Sequence, residues 1–237
     1  MLTDHRRAFR FSLGLLACLV FMLVAVGRHP EELAPLTTVP FIGEFDATVE
    51  RWADDVRVGA LTGFFTFLSI VGGGLVTIPL RILVAGWLLL RRRWVALSTF
   101  VLAWVASEAL LTWLKIFFHR GRPPNPLVET NGFSFPSGHA VAGAALAVAL
   151  VLVFFPPGPR RREWELLAIG FTYVMALSRV YLSAHWFSDV VTGVLLGTGI
   201  ALGSAALVTE VTNALSARGV IARPRTPPGD PLDPRLS

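Results

Sequence analysis

Three short stretches of this chain combine cationic side chains with histidines, and each interrupts otherwise apolar sequence. They are KIFFHRGRP at 115–123, PSGH at 136–139 and SRVYLSAHWFSD at 178–189. They contain the only lysine, Lys115, and three of the five histidines. Converging cations make a strongly positive pocket, and guanidinium groups bind phosphate oxygens two at a time. The three motifs therefore predict a binding site for an anion of the phosphate type.

The PSGH motif begins an unbroken apolar run that continues to Phe155. Serine is a common N-cap residue and Pro136 marks a helix start, so the turn also has a purely structural interpretation. The free N–H groups around Ser137 and Gly138 would form an anion site, and glycine lets the backbone come close to the ligand. On the same turn, His139 would donate a proton to an oxygen of that anion.

His185 and Asp189 are four residues apart, so on a helical turn they face the same side. A carboxylate that accepts a proton from one imidazole nitrogen leaves the other nitrogen free and more nucleophilic. A nucleophile, an orienting carboxylate, a proton donor and a cationic clamp together describe phosphoryl transfer through a phosphohistidine. The clamp would consist of Lys115, Arg122 and Arg179.

The same residues disfavour metal-dependent hydrolysis. A magnesium or zinc site needs several carboxylates or clustered ligands, and near these motifs the sequence offers mainly Asp189 and Glu129. The single cysteine, Cys18, excludes an internal disulfide and a cysteine-based metal site. We therefore expect neither a metal ion nor another cofactor.

The remainder of the chain is unusually apolar. Of its 237 residues 54% are hydrophobic and 16% are charged, against about 25% charged in a soluble domain. The mean hydropathy is +0.62, and the apolar residues lie in long runs, as is typical of a membrane protein. The net charge of +5 comes from short basic clusters between these runs. These clusters indicate orientation in a membrane and argue against a nucleic-acid partner.

The apolar runs predict an all-α bundle of six transmembrane helices. The predicted spans are about 9–27, 74–90, 94–118, 138–155, 164–181 and 187–209. Residues 57–71 are apolar but short, and three glycines separate them from the second span. They predict a helix in the outer interface before that span. Residues 1–215 form the single predicted domain, and the proline-rich segment 216–237 is predicted to be a disordered cytoplasmic tail.

The basic clusters set the predicted orientation. With six spans, the N-terminus, Arg91–Arg93, Arg160–Arg162 and the tail share one face, which the positive-inside rule makes cytoplasmic. The three motifs then lie on the outer rim, beside an acidic outside loop at 28–58. Apolar sequence continues through Gly27, so we expect the first span to be retained and not cleaved as a signal peptide. The predicted location is a bacterial inner membrane.

The motifs resemble those of the type 2 phosphatidic acid phosphatase superfamily, the integral-membrane lipid phosphatases related to vanadium haloperoxidases. Lys115 to Pro123 reads K-x6-R-P, Pro136 to His139 reads P-S-G-H, and Ser178 to Asp189 reads S-R-x5-H-x3-D. All three stand in order, each at the end of a predicted span. The resemblance covers about residues 57–209, with no departure at the motif positions.

The resemblance implies a metal-independent reaction on a lipid phosphate at the outer membrane face. His185 would attack phosphorus, Asp189 would orient it, and His139 would protonate the leaving oxygen. The phosphoryl oxygens would be bound by Lys115, Arg122, Arg179, Ser137 and Gly138. Known members of the family act on phosphatidate, phosphatidylglycerophosphate, undecaprenyl pyrophosphate and similar lipids.

The sequence leaves the acceptor and the substrate open. The same residues would support a lipid phosphotransferase that passes the phosphoryl group from His185 to another alcohol. A non-catalytic binder or transporter of anionic lipids is disfavoured, because both His139 and His185 are present. An arginine-rich, lysine-poor composition indicates a GC-rich bacterial genome. It therefore favours envelope lipids such as undecaprenyl pyrophosphate or phosphatidylglycerophosphate as substrates.

Other residues give predictions about packing. Arg81 and Glu108 are charges inside spans at comparable depth, so we expect them to lie close together beneath the site as structural support. We expect His119 to serve at a headgroup or interface and not in catalysis. The sixth span carries two overlapping small-residue patterns, at Gly193, Gly197, Gly199 and Gly203. These predict tight packing within the chain, with a homodimer through this span as the alternative.

Overall fold

In the described parts of the chain the fold is all-α, as predicted. This computed structural model describes residues 5–26, with side chains from Gly14 onward, and residues 40–220. Eight helices lie in these ranges, and no strand does. They are α1 (His5–Val26), α2 (Pro40–Asp55), α3 (Gly59–Gly72), α4 (Gly74–Leu90), α5 (Trp94–Phe118), α6 (Gly138–Phe154), α7 (Pro159–Tyr181) and α8 (Phe187–Ala217).

Five of the six predicted spans coincide closely with helices, and α8 continues eight residues beyond the predicted end of the sixth. By length and composition, α5 and α8 are each able to cross a membrane. Helices α3 and α4 meet that standard only as a pair, bent by 41°. Helix α6 and the described apolar part of α1, Gly14–Val26, are shorter apolar helices. The count of six spans stays a prediction.

The segment before the second span differs from the prediction in one respect. Residues 57–71 were expected to form a separate helix, and α3 forms there and ends at Gly72. The residues of the expected loop that the structure describes contain a second helix, α2. Its Pro40 stands at the first helical position, where a fixed φ and a missing N–H are favourable. Residues 28–39 of that loop and 221–237 of the predicted tail lie outside the described residues.

Helix α6 is the centre of the bundle and packs against α5, α7 and α8. Glycines bring α8 unusually close to it. A Cβ atom at Gly197 would lie 2.3 Å from the carbonyl oxygen of Val141, and one at Gly193 would lie 2.8 Å from Cβ of Ala140. This close approach places the first turns of α6 and α8 side by side, where the second and third motifs lie.

The small-residue pattern of α8 therefore serves packing within the chain, as predicted. Gly193 and Gly197 face α6, and a Cβ at Gly199 would lie 3.0 Å from Leu15 of α1. A Cβ at Gly203 would meet open space. The homodimer through this helix stays a prediction.

The predicted pairing of Arg81 with Glu108 is confirmed. Nη1 of Arg81 donates to Oε1 of Glu108 at 2.5 Å, and Nη2 donates to the carbonyl oxygen of Ala142 at 3.3 Å. The Arg81 side chain is only 2% exposed, and its guanidinium lies over the Trp104 ring. One buried cation thus ties α4 to α5 and α6.

Candidate active site

The nucleophile predicted from the sequence lies in the tight connection between α7 and α8. Backbone N–H groups of Ala184 and His185 both donate to the carbonyl oxygen of Arg179, which closes the turn. Trp186 is the N-cap of α8, and its N–H donates to Oδ2 of Asp189 at 3.0 Å. The same Oδ2 lies 3.5 Å from Nδ1 of His185. The structure therefore brings the predicted pair together in a buried position.

Arg122 lies on the opposite side of the His185 ring. Its Nη1 donates to the carbonyl oxygen of Ala184 at 2.6 Å and lies 3.2 Å from Nε2 of His185. Its other nitrogens donate to the carbonyl oxygens of Gly132 and Asn131. Because a guanidinium only donates, this contact assigns the lone pair of His185 to Nε2 and its hydrogen to Nδ1.

The surroundings keep the His185 ring neutral. Burial, together with the smaller effects of the Arg122 and Lys115 charges, lowers the pKa of His185 to about 3. The carboxylate of Asp189 opposes these effects but does not outweigh them. A neutral imidazole with its lone pair on Nε2 faces the cationic side of the site, which is the form that attacks an electrophile.

Arg179 and His139 meet at Ser69 of α3. Arg179 donates a hydrogen bond from Nη1 to the Ser69 hydroxyl, and Nε2 of His139 lies 3.0 Å from the Ser69 carbonyl oxygen. Since a carbonyl only accepts, Nε2 of His139 carries a hydrogen. A Cβ at Gly72, where α3 ends, would lie 3.3 Å from Cδ2 of His139. The break between α3 and α4 thus packs directly against the predicted proton donor.

The hydrogen bonds of the PSGH turn differ from the prediction. The N–H of Ser137 was expected to be free, but it donates to the carbonyl oxygen of Asp189 at 3.0 Å. The Ser137 side chain makes no capping hydrogen bond, and its buried hydroxyl has no partner within the described residues. Because the adjoining helix occupies this N–H, the parts of the turn left for an anion are the Ser137 hydroxyl and the Gly138 N–H.

Lys115 completes the cationic side from the last turn of α5. Its Nζ donates to the carbonyl oxygen of Phe133 at 2.5 Å, and Nη2 of Arg122 lies 3.3 Å from the same oxygen. Two cations from the first motif therefore share one carbonyl acceptor. This arrangement holds both side chains near the PSGH turn.

Two residues of this site were missed from the sequence. Arg120, within the first motif, bonds both to Asp189 and to Asp46 of α2. Asp46 was assigned to an outside loop, so it was left out of the carboxylates expected near the motifs. The available signal was helical periodicity, since Gly43, Asp46 and Ala53 recur on one face and are all buried.

Comparison with known proteins identifies the family. A sequence profile of the PAP2 superfamily matches residues 94–213, about half of the chain. Phosphatidylglycerophosphatase B of Bacillus subtilis (strain 168) is 30% identical over 185 residues, which cover 76% of this chain and 86% of that protein. The chain belongs to the PAP2 superfamily. The resemblance predicted from the motifs is confirmed.

Other relatives of this PAP2 chain are similar in sequence or in fold. An undecaprenyl-diphosphatase of Sulfolobus acidocaldarius is 32% identical over 152 residues, 61% of this chain and 69% of that protein. The crystal structure of a transmembrane PAP2-type phosphatidylglycerolphosphate phosphatase from Bacillus subtilis has the same fold, with a TM-score of 0.70. It is 24% identical, over 90% of this chain and 98% of that one. With its apolar helices, this PAP2 chain is an integral membrane protein.

His119 of this PAP2 chain contacts residues beside the predicted phosphate-binding side chains. It ends α5 in the left-handed conformation, with φ of 51°, and its N–H donates to the Lys115 carbonyl oxygen. Its ring packs edge-on against Phe133, with centroids 4.4 Å apart. Its role at a headgroup or interface stays a prediction.

The charged hydrogen-bond donors that the site offers to a ligand are cations. Within residues 14–26 and 40–220 no group of three His, Cys, Asp or Glu side chains is arranged to hold a metal ion. Asp189, which faces the predicted nucleophile, and Asp46 are both paired with Arg120. The described residues thus offer an oxyanion several donors.

Proposed function

We propose that this protein removes phosphate from a membrane lipid phosphate or pyrophosphate, without a metal, through a phosphohistidine at His185. The class of hydrolase follows from the PAP2 family and from relatives named as phosphatases of lipid phosphates. The observation that carries the mechanism is the placement of the His185 ring between a carboxylate and a guanidinium. Its Nδ1 faces Asp189 and its Nε2 faces Arg122.

In the first step, Nε2 of His185 attacks phosphorus and the bond to the leaving oxygen breaks. Positive charge develops on the imidazole, and the Asp189 carboxylate at Nδ1 stabilises it. His139, when both of its ring nitrogens are protonated, gives the Nε2 proton to the leaving oxygen and becomes neutral. In the second step, His139 takes a proton from water as the water oxygen attacks phosphorus. The P–N bond then breaks, and phosphate leaves.

The cations act on the oxygens of the phosphoryl group. Lys115, Arg122 and Arg179 reach the same region from α5, the following loop and α7. Their hydrogen bonds in the substrate-free chain go mainly to neutral carbonyl and hydroxyl oxygens. Phosphoryl oxygens carry more charge than these acceptors, so substrate can replace them. The Ser137 hydroxyl and the Gly138 N–H would add uncharged donors.

The lipid substrate is proposed from the relatives and the membrane helices. One relative is named for phosphatidylglycerophosphate and another for undecaprenyl diphosphate, and both are envelope lipids. We favour these two substrates over phosphatidate. The chain would span a bacterial inner membrane six times, with both termini cytoplasmic and the site on the outer face. The basic clusters at Arg91–Arg93 and Arg160–Arg162 support that orientation.

The test is phosphate release by the full chain, purified in detergent with EDTA present, on undecaprenyl pyrophosphate, phosphatidylglycerophosphate and phosphatidate. We expect release that survives EDTA, is lost in His185→Ala and is kept in His119→Asn. Asparagine tolerates the left-handed conformation at 119, so this variant is a matched histidine control. Activity that disappears with EDTA, or that persists in His185→Ala, would overturn the mechanism.

A further inference from the structure

Helix α2 presents a buried carboxylate to the catalytic centre. Its outward side chains are exposed, Phe41 at 68% and Trp52 at 61%, whereas Asp46 is 1% exposed. A buried carboxylate is unfavourable unless it is paired and hydrogen-bonded. The partners of Asp46 therefore indicate why this helix carries one.

Both side-chain oxygens of Asp46 accept hydrogen bonds at the start of α8 or beside it. Oδ1 accepts from the Ser188 N–H at 2.8 Å. Oδ2 accepts from the Ser188 hydroxyl at 2.5 Å and from Nη2 of Arg120 at 2.7 Å. Ser188 stands immediately before Asp189, so α2 is bound to the turn that carries the catalytic pair.

Arg120 connects this carboxylate to the second one. Its Nη1 donates to Oδ1 of Asp189 at 2.6 Å and to the Ser188 hydroxyl at 2.7 Å. The guanidinium lies 5.7 Å from the centre of the Trp186 ring and is 4% exposed. Asp189 thus has one oxygen fixed by Arg120, while its other oxygen faces Nδ1 of His185.

We propose that Arg120 and Asp46 are positioning residues for the phosphoryl transfer at His185. Arg120 fixes the plane of the Asp189 carboxylate, so that Oδ2 stays at Nδ1 of His185. Asp46 holds Arg120 in that place and makes α2 part of the catalytic centre. The inference rests on the proposed function, because it assigns these residues a role through His185.

The charges of Asp46, Arg120 and Asp189 also influence the protonation of His185. Burial by itself lowers the pKa of Arg120, but the carboxylates of Asp189 and Asp46 more than offset it and raise the pKa above its ordinary value. Arg120 is therefore permanently charged, and it balances the charge of Asp189 next to His185. An unbalanced carboxylate there would favour the protonated imidazole, which cannot attack phosphorus.

Arg120 and Asp46 differ in their expected effect on the protonation of His185. In Arg120→Gln, Asp189 loses the cation that offsets its burial, so the Asp189–His185 pair binds a proton more readily than in wild type. In Asp46→Asn, Arg120 still faces Asp189, so the pKa of His185 stays low. Both variants leave Asp189, Arg122 and Lys115, the charged groups that face His185, in place.

The experiment compares Arg120→Gln, Arg120→Lys and Asp46→Asn with Arg51→Gln, in the full chain in detergent. Arg51 is exposed on α2 and bonds only to Thr48 among the described residues. We expect kcat to fall by about 10–100-fold in Arg120→Gln, by analogy with the hydrogen-bond partners that orient the ligands of metal sites. KM should change little, and the loss should deepen as pH falls. Arg120→Lys should recover part of kcat. Burial raises the pKa of Asp46, so the loss of activity in Asp46→Asn should not deepen as pH falls.

A second readout does not depend on activity. Histidine-selective NMR, with the His185 signal assigned through His185→Ala, follows the protonation of His185 directly in folded protein. We expect His185 to protonate at higher pH in Arg120→Gln than in wild type. Equal titration in the two proteins, or a kcat that falls only with the folded fraction, overturns the inference. If wild type lacks phosphatase activity while the titration shifts, the proposed function fails, and only the electrostatic link from Arg120 through Asp189 to His185 stands.

Discussion

Nη1 of Arg122 lies 3.2 Å from Nε2 of His185 and thus faces the lone pair of the proposed nucleophile. The same guanidinium is held by carbonyl oxygens at Ala184, Gly132 and Asn131. One side chain therefore touches both the proposed attacking atom and the backbone segments on either side of it. A phosphoryl group that reaches Nε2 must also meet this arginine.

Replacement of Arg122 should weaken the binding of oxyanions that imitate the transferred group. A hydrogen bond to a charged group contributes about 1.5–3 kcal/mol, so Arg122→Gln should raise the inhibition constant of orthovanadate by about 10–100-fold. Arg122→Lys keeps the charge but loses the fork, and its effect should be intermediate. Inhibition assays on the two variants and on His119→Asn measure this. Unchanged inhibition in Arg122→Gln would remove Arg122 from the proposed phosphate site.

The pH dependence of the same variant gives a separate prediction. Burial, helped by the charge of Arg122, lowers the pKa of His185 to about 3, so removal of that charge raises the pKa. More His185 is then protonated as pH falls, and the protonated form cannot attack. The ratio of kcat/KM between wild type and Arg122→Gln should therefore increase from pH 8 to pH 4.5. Ionisation of the substrate affects both proteins equally, so its effect cancels in this ratio.

The charge-retaining variant is the control for this measurement. The ratio between wild type and Arg122→Lys should stay nearly constant over the same pH range, because a cation remains near His185. A ratio for Arg122→Gln that is equally flat would contradict the assigned effect of the guanidinium on the ring.

Much of the site could be predicted because its residues obey local rules. His185 and Asp189 are four apart at a helix start, a spacing that predicts side chains on one side, and the N-cap bond from Trp186 to Asp189 brings them together although His185 lies before α8. Arg81 and Glu108 could be paired in advance because a charge inside an apolar span requires a partner. In both cases the constraint, helical spacing or the need of a buried charge for a partner, can be read from the neighbouring sequence.

Asp46 and Arg120 could not be predicted in the same way. They are 74 residues apart, and their contact depends on how α2 docks on α8, which no spacing rule describes. The acidic residues of 28–58 suit a loop by composition, and only the buried face of α2 reveals its role. The Ser137 N–H was likewise misjudged, because its partner at Asp189 follows from the close packing of α6 on α8.

The Arg81–Glu108 pair should stabilise the bundle without taking part in catalysis. In Glu108→Gln the buried guanidinium loses its charged acceptor, which we expect to reduce the free energy of unfolding by about 1–3 kcal/mol. Glu210→Gln, at an exposed position of α8, should leave it unchanged. Thermal melting in detergent, with kcat measured on folded protein, checks both effects. A large loss of kcat in folded Glu108→Gln would instead place the pair in the reaction.

The glycines of α8 allow a matched test of how packing positions the site. In Gly197→Ala the new Cβ would lie 2.3 Å from the Val141 carbonyl oxygen, so α8 must move away from α6. Such overpacking typically costs about 1–3 kcal/mol. It should also strain the bond between the Ser137 N–H and the Asp189 carbonyl oxygen. We therefore expect a lower melting temperature together with a lower kcat in the folded protein.

Gly203→Ala is the comparison, since its Cβ would enter open space. It adds the same methyl group to the same helix, and alanine favours a helix more than glycine by about 1 kcal/mol. Its melting temperature should be equal to or above that of wild type, with kcat unchanged. If both variants keep full activity and stability, the site does not require the close spacing of α6 and α8 at Gly197. The close approach at Gly197 would then have no part in positioning His185 and Asp189 beside the PSGH turn.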